Sequence, residues 1–189
     1  MGDQTQGGLI QTPQLGEYFH DAVHTAARQC GVSADQSTLH YLVLLLCQYA
    51  RSERVFDYSD QRLQLRPLAL LYGEALEARS QRERRLWLQR LGDLALFVGG
   101  WFAGRLSRHF QDLDYCVAMG GNAYGYLNQT AQQPGDRAMA TVFGELADGF
   151  DRFVDLVAVV TRRRELPVEV MLDGETRHRD LATPPPTPH

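Results

Sequence analysis

The sequence contains no lysine, since all 19 of its Lys and Arg residues are arginine. The chain therefore cannot form the lysine Schiff base on which pyridoxal phosphate enzymes and aldolases depend. It also lacks the lysine that contacts phosphates in P-loop proteins and in protein kinases. This absence excludes several large enzyme classes, and it leaves any recognition of anions to planar arginine side chains.

Cysteines and long apolar runs are scarce as well. Cys30, Cys47 and Cys116 are odd in number and have no metal-ligand spacing, so we expect buried thiols and no disulfide framework. The longest apolar runs, 41–47 and 94–103, fall short of the roughly 20 residues that a membrane-spanning helix needs. The first 14 residues are polar and glycine-rich and do not resemble a secretory signal. These absences predict a soluble, cytoplasmic protein with no membrane span.

What the sequence does contain is typical of one globular domain. Its 189 residues are 44% hydrophobic and 22% charged, which suffices for a sizeable core. The net charge of −4 argues against a protein that binds nucleic acid through a basic surface. Arginine runs at 79–90 and 162–164 fit solvated helix faces and ends, and the first run leaves open an anionic partner. We therefore expect a protein partner rather than nucleic acid.

Long proline-free stretches with apolar residues three and four positions apart predict an all-α protein. Prolines at 13, 67 and 134 indicate helix starts or connections, because proline is tolerated only in the first turn of a helix. Ser33 and Gln36 have the spacing of a capping box and predict the start of the second helix. We expect a single-domain bundle of about six helices, near 15–30, 34–51, 67–77, 86–110, 112–130 and 136–164.

The sequence predicts no helix at the two ends of the chain, in contrast to its middle. We expect a flexible N-terminal segment over 1–13, the helical bundle domain over 14–166, and an extended segment with a tail over 167–189. Alternating residues from 168 to 172, followed by Asp173-Gly174, indicate a short β segment near 168–180. The Pro-rich stretch 182–189 predicts a disordered C-terminal tail.

Glycines are concentrated in the predicted fourth and fifth helices. Each costs roughly 1 kcal/mol relative to alanine inside a helix, so some contact should offset them. Two pairs of glycines are spaced by four residues, which places both members of a pair on one helix face and allows close approach of another backbone. Close packing of the two helices, a pocket where a ligand touches backbone, and a homodimer interface all remain open. The interface candidates are Gly100, Trp101, Gly104, Gly121, Tyr124 and Gly125.

The connection between these two helices is the first candidate for a ligand site. An imidazole, two carboxylates and glycine backbone come close together in the sequence there, as they do in many polar pockets. A simpler explanation is that Asp112 or Asp114 caps the fifth helix. The ligand-binding candidates are His109, Asp112, Asp114, Tyr115, Gly120 and Gly121.

A second candidate site lies in the first helix. Glu17, His20 and His24 have the i, i+3 and i+7 positions that can share one helix face, and Glu-x-x-His is half of a di-iron carboxylate pattern. The second Glu-x-x-His of that pattern is missing, so a mononuclear metal site is the form that remains. The alternative is a solvated polar face opposite the apolar stripe of this helix.

One acidic residue lies on an otherwise apolar helix. Asp93 is surrounded in sequence by leucines and alanine, and a buried carboxylate needs a partner. Arg90, Arg105 or Arg108 could supply it, so we expect a structural ion pair rather than a catalytic group.

Taken together, the residues favour a non-enzymatic helical module that binds a protein partner and forms a homo-oligomer. The basis is the lack of a catalytic constellation, the glycine and aromatic packing surface, and the arginine-rich face. The alternative is a ligand- or metal-binding helical protein, including an enzyme, with a site at the glycine-rich hairpin 99–125 or at Glu17, His20 and His24. No particular cofactor is indicated.

Overall fold

The computed structural model describes residues 12–51, 66–105, 110–131 and 137–162, and these residues form helices and short connections with no strand. The all-α bundle predicted from the sequence is therefore confirmed. The described part contains seven helices, which are α1 (Thr12–Cys30), α2 (Gln36–Arg51), α3 (Arg66–Glu77), α4 (Gln81–Arg105), α5 (Phe110–Gln129), α6 (Arg137–Asp148) and α7 (Phe150–Arg162).

The extra helix arises at Gly149, where the predicted sixth helix divides into α6 and α7. Backbone hydrogen bonds from Gly149 N to Glu145 O (3.1 Å) and from Phe153 N to Gly149 O (3.0 Å) connect the two helices. The apolar stripe continues through the break in the sequence, which is why periodicity alone predicts one helix. The predicted β segment near 168–180, the tail, and residues 1–11 lie outside the described residues.

The junction between α1 and α2 shows how local sequence sets a helix boundary. Gly31 has a φ of 64°, and Val32 N donates to Ala27 O at 2.9 Å, which is a left-handed helix end. The side chain of Asp35 then accepts a hydrogen bond from Ser37 N at 2.8 Å and caps α2. The predicted capping box at Ser33 is therefore wrong, because the helix begins at Gln36, two residues beyond the start that the box implies.

The core is organised around α4. This helix packs against α3, α5 and α7, while α1 packs against α2 and α7, and α6 packs against α5 and α2. Leu91, Ala95 and Leu96 of α4 are completely buried. By contrast, among the described helices α3 packs essentially on α4 alone.

Within the described part of the chain, none of the helices is both long and apolar enough to cross a bilayer. The three cysteines are free thiols, with Cys47 and Cys116 buried and Cys30 partly buried. The expected absence of a disulfide framework agrees with this arrangement.

Candidate functional site

The most unusual surface of the described residues is at α3 and the first turns of α4. Five large apolar side chains are exposed in the described ranges, and four of them lie between residues 70 and 86. Isolated exposed apolar residues are ordinary, whereas such a concentration is unusual on a protein surface. We call residues 66–90 the α3–α4 hairpin. Its exposed apolar residues are Leu70, Tyr72, Leu76 and Leu86.

The exposed face of α3 follows from its sequence pattern. Leu68 and Ala75 are buried, and they lie on the face that packs against α4. With 100° between successive residues, Leu70 and Gly73 lie roughly 150° from the middle of that face, and Leu76 lies about 90° from it. A helix that is apolar on both sides is expected to bury both, and α3 buries only one.

Backbone capping fixes the turn of the hairpin. Ser80 Oγ accepts a hydrogen bond from Glu83 N at 3.1 Å, and Glu83 Oε2 accepts one from Arg79 N at 2.9 Å. Ser80 and Glu83 thus act as a capping box that starts α4 at Gln81, earlier than the apolar periodicity suggests. The Ser-x-x-Glu spacing was present in the sequence and could have located this helix start.

The arginines of the hairpin divide into two groups. Arg84 Nε donates to Ala75 O at 3.1 Å and so links α4 to α3. Arg85 Nη1 donates to Leu127 O at 2.9 Å and so links α4 to α5. Arg90 is exposed and lies over the Trp87 ring at 5.0 Å. Among the described side chains of the hairpin, the other exposed charged residues are Glu74, Glu77, Glu83, Arg79, Arg82 and Arg90.

The glycines proposed as an interface make contacts within the chain. A Cβ added at Gly100 would overlap Val157 of α7, and one at Gly120 would overlap the ring of Phe150. A Cβ at Gly121 would lie 3.7 Å from Phe150 Cβ. Gly100 and Gly120 therefore admit side chains of α7, whereas Gly92 of α4 admits the Tyr124 ring of α5. Gly125 faces Ala147 at the edge of ordinary contact, Trp101 is partly buried, and the surroundings of Gly104 lie outside the described side chains.

Tyr124, another interface candidate, lies in the core with no exposed surface. Its hydroxyl donates to Asp93 Oδ1 at 2.7 Å, and the Tyr41 hydroxyl donates to the same oxygen at 2.5 Å. Gln89 Nε2 donates to the Tyr41 hydroxyl at 3.2 Å. Among the described residues, Asp93 is thus bound by tyrosines of α2 and α5 instead of the expected arginine. The lack of a side chain at Gly92 makes room for the Tyr124 ring.

Burial raises the pKa of Asp93 to about 6, although the two tyrosine hydrogen bonds act in the opposite direction. Burial, followed by the charge of Asp93, also raises the pKa of Tyr41 and of Tyr49. Burial and the same carboxylate raise the pKa of Tyr124. The cluster is a polar link between α2, α4 and α5, and it presents hydroxyl groups that stay protonated.

The ligand candidates between the fourth and fifth helices are only partly brought together. His109 lies outside the described residues, and Asp112 belongs to α5 with its side chain outside them. Asp114 is exposed and Tyr115 is partly buried. Gly120 is covered by Phe150 within the chain. The described members of this set are thus Asp114, Tyr115, Gly120 and Gly121, which differ in exposure.

The metal candidates lie beside a groove between α1 and α2. Glu17 and His20 line it together with His40 and Cys47, and its volume is about 910 Å³. The rings of His20 and His24 have centroids 4.4 Å apart, and His20 Nδ1 is 3.4 Å from Asp21 Oδ1. Across the described ranges, no three His, Cys, Asp or Glu side chains are grouped so that they could hold a metal ion.

No protein-family model matches the chain, and comparisons with curated proteins and with solved structures gave no match. The function therefore has to be inferred from the surface and the core of this chain.

Proposed function

We propose that the chain is a non-enzymatic helical module that binds a protein partner through the α3–α4 hairpin. The observation that carries the proposal is the concentration of exposed large apolar residues there, with Leu70 68% and Leu76 61% exposed. Removing such side chains from water is favourable by roughly 25 cal/mol for each Å², and a complex keeps what remains after the entropic cost of association. The exposed charges around them would form the polar rim that protein interfaces have.

The experiment is site-specific photocrosslinking in the full chain, in an extract of cells that express it. A photoreactive phenylalanine analogue replaces Leu70 or Leu76, and adducts are identified by mass spectrometry. Leu44 of α2 is the matched control, because it is 55% exposed and lies outside the hairpin. We expect defined adducts from positions 70 and 76, at least tenfold more abundant than from position 44. Equal or absent adducts at all three positions contradict the proposal.

A second candidate function, ligand or metal binding, would use the polar groove between α1 and α2, although the described side chains there form no ready-made group of three metal ligands. Two histidines and two carboxylates line this groove, namely His20, His40, Glu17 and Asp21. Titration of the chain with Zn²⁺ in a calorimeter tests it, with His20→Ala as the variant. Stoichiometric binding that the variant loses would support this function, and no heat above dilution would remove it. The described contacts add no support for a site at the glycine-rich hairpin 99–125.

A further inference from the structure

We infer that His20 and His24 of α1 together bind a divalent transition-metal ion that favours square coordination, either copper(II) or nickel(II). The two imidazoles are the protein ligands, and water occupies the remaining positions of the ion. This inference rests on the second candidate function, since it names the ion and the ligands of metal binding on α1. It does not depend on the α3–α4 hairpin.

Both histidines lie on the outer side of α1. Phe19 and Val23 of this helix are buried in the core, whereas His20 is exposed and His24 is partly exposed. Residues four positions apart are neighbours on the surface of a helix. The centroids of the two imidazole rings are accordingly 4.4 Å apart, with 46° between the ring planes. The pair is therefore adjacent within a single helical turn.

The distance between the rings corresponds to two ligands at a right angle about one ion. An imidazole nitrogen binds such an ion at about 2 Å, which places the ring centroid about 3.2 Å from the ion. Two rings at 90° then have centroids roughly 4.5 Å apart, whereas two rings at the tetrahedral angle have centroids roughly 5.2 Å apart. The observed 4.4 Å agrees with the right angle. Square coordination by nitrogen and oxygen ligands is typical of copper(II) and nickel(II), whereas zinc prefers a tetrahedron.

The neighbouring carboxylate of Asp21 favours the ligand form of the first imidazole. His20 Nδ1 lies 3.4 Å from Asp21 Oδ1. An Nδ1–H group that faces a carboxylate leaves Nε2 as the atom that can bind a metal ion. In the described ranges no third His, Cys, Asp or Glu joins the pair, so Glu17 is not expected to be a ligand. An ion with square coordination would keep two water molecules.

Calorimetric titration of the full chain with Ni²⁺, without a histidine tag, tests the inference. The variants His20→Ala and His24→Ala each remove one ligand from α1. His40→Ala is the matched control, because His40 is exposed and lines the groove from α2. We expect one ion per chain in the wild type and in His40→Ala. Each α1 variant should bind Ni²⁺ at least tenfold more weakly, because a single imidazole cannot chelate.

Urea unfolding with and without excess Ni²⁺ is the second measurement. Because the two imidazoles come together only when α1 is helical, the ion should bind the folded chain better than the unfolded chain. We therefore expect Ni²⁺ to raise the urea midpoint of the wild type and of His40→Ala, and to leave that of His24→Ala unchanged. Zn²⁺ should bind the wild type more weakly than Ni²⁺ does, and tighter zinc binding would contradict the square geometry.

Two further outcomes overturn the inference. One is a wild-type chain that binds no Ni²⁺, and the other is a His24→Ala variant that binds it as well as the wild type. If His40→Ala loses the ion while His24→Ala keeps it, the ion is held across the groove between α1 and α2. In that case this inference fails while the second candidate function stands. If the wild type binds neither Ni²⁺ nor Zn²⁺, metal binding fails in both forms.

Discussion

At the scale of single residues, the glycines of this chain separate into two kinds. Gly120 and Gly100 are buried where side chains of another helix fill the space of a Cβ, whereas Gly73 and Gly16 face open space. The sequence shows the same residue type in helical segments in both cases. Only the neighbours, which come from distant parts of the chain, decide whether the glycine is required.

Alanine substitutions should therefore change the free energy of unfolding in opposite directions at the two kinds of site. Gly73→Ala should raise the free energy of unfolding by about 0.5 to 1 kcal/mol, because alanine favours the helix and meets nothing. Gly120→Ala should lower it by about 1 to 2 kcal/mol, because its Cβ would overlap Phe150. Urea unfolding at low protein concentration measures both, and equal effects would contradict the packing at Gly120.

A pH-dependent stability is expected from Asp93. Its pKa is raised to about 6 in the fold, mainly by burial, against an ordinary value of 3.8. A raised pKa means that the folded state binds the carboxyl proton more tightly than the unfolded state does. The contribution of Asp93 to stability is therefore fully present below the unfolded pKa and is lost as the pH rises through the folded pKa. Between about pH 4 and pH 7, the free energy of unfolding of the wild type should fall by on the order of 2 to 3 kcal/mol. That of Asp93→Asn should not show this fall.

Urea unfolding of the wild type and Asp93→Asn at several pH values measures this difference. Parallel pH curves for the two proteins would show that Asp93 has an ordinary pKa. From the sequence, the isolated carboxylate on an apolar helix could be recognised as a group that needs a partner. Its hydrogen-bond partners could not be recognised from the sequence, because Tyr41 and Tyr124 lie 52 and 31 residues away along the chain.

At the scale of helices, local signals predicted where most elements begin and end, and contacts between elements escaped prediction. The end of α1 at Gly31 and the start of α3 beside Pro67 follow from residue chemistry alone. The break at Gly149 does not, since the same apolar stripe would suit one continuous helix. What divides it is tertiary packing, because α6 packs on α5 and α2 while α7 packs on α4 and α1.

Arg85 is expected to join two elements. Its Nη1 atom donates to Leu127 O at 2.9 Å and to Thr130 Oγ1 at 2.5 Å, at the end of α5. Arg85→Ala should lower the free energy of unfolding by about 1.5 to 3 kcal/mol, which is typical of a hydrogen bond from a charged group. Arg82→Ala is the matched control, since Arg82 is exposed and should change stability by less than about 0.5 kcal/mol. Equal effects in thermal or urea unfolding would contradict the role of Arg85.

At the scale of the whole molecule, one side chain joins several helices. Phe150 is 3% exposed, fills the space above Gly120 of α5, and lies 5.9 Å from the Tyr124 ring, centroid to centroid. Phe150→Ala should lower the free energy of unfolding by about 3 to 5 kcal/mol, because it leaves a cavity at the junction of α5, α6 and α7. Leu44→Ala should cost less than about 0.5 kcal/mol, since Leu44 is 55% exposed.

Unfolding of these variants should be followed by circular dichroism and by tryptophan fluorescence. Coincident midpoints are expected, because the helices share one core. Separate midpoints, or similar losses in both variants, would contradict that description. The fold class of this core was predictable from apolar periodicity, while its surface sites were not. The sequence of α3 resembles that of any buried apolar helix, and only the packing of the described helices shows that they leave one face of it exposed.

The packing of α1 against α7 has a consequence for how the chain is made. Cys30 ends α1 and Phe150 begins α7, so 120 positions separate the two helices along the chain. At a translation rate of about 5 to 20 residues per second, that interval lasts roughly 6 to 24 seconds. During this time, nascent α1 has α2 to pack against but not α7, so this part of the bundle closes only after α7 has been made.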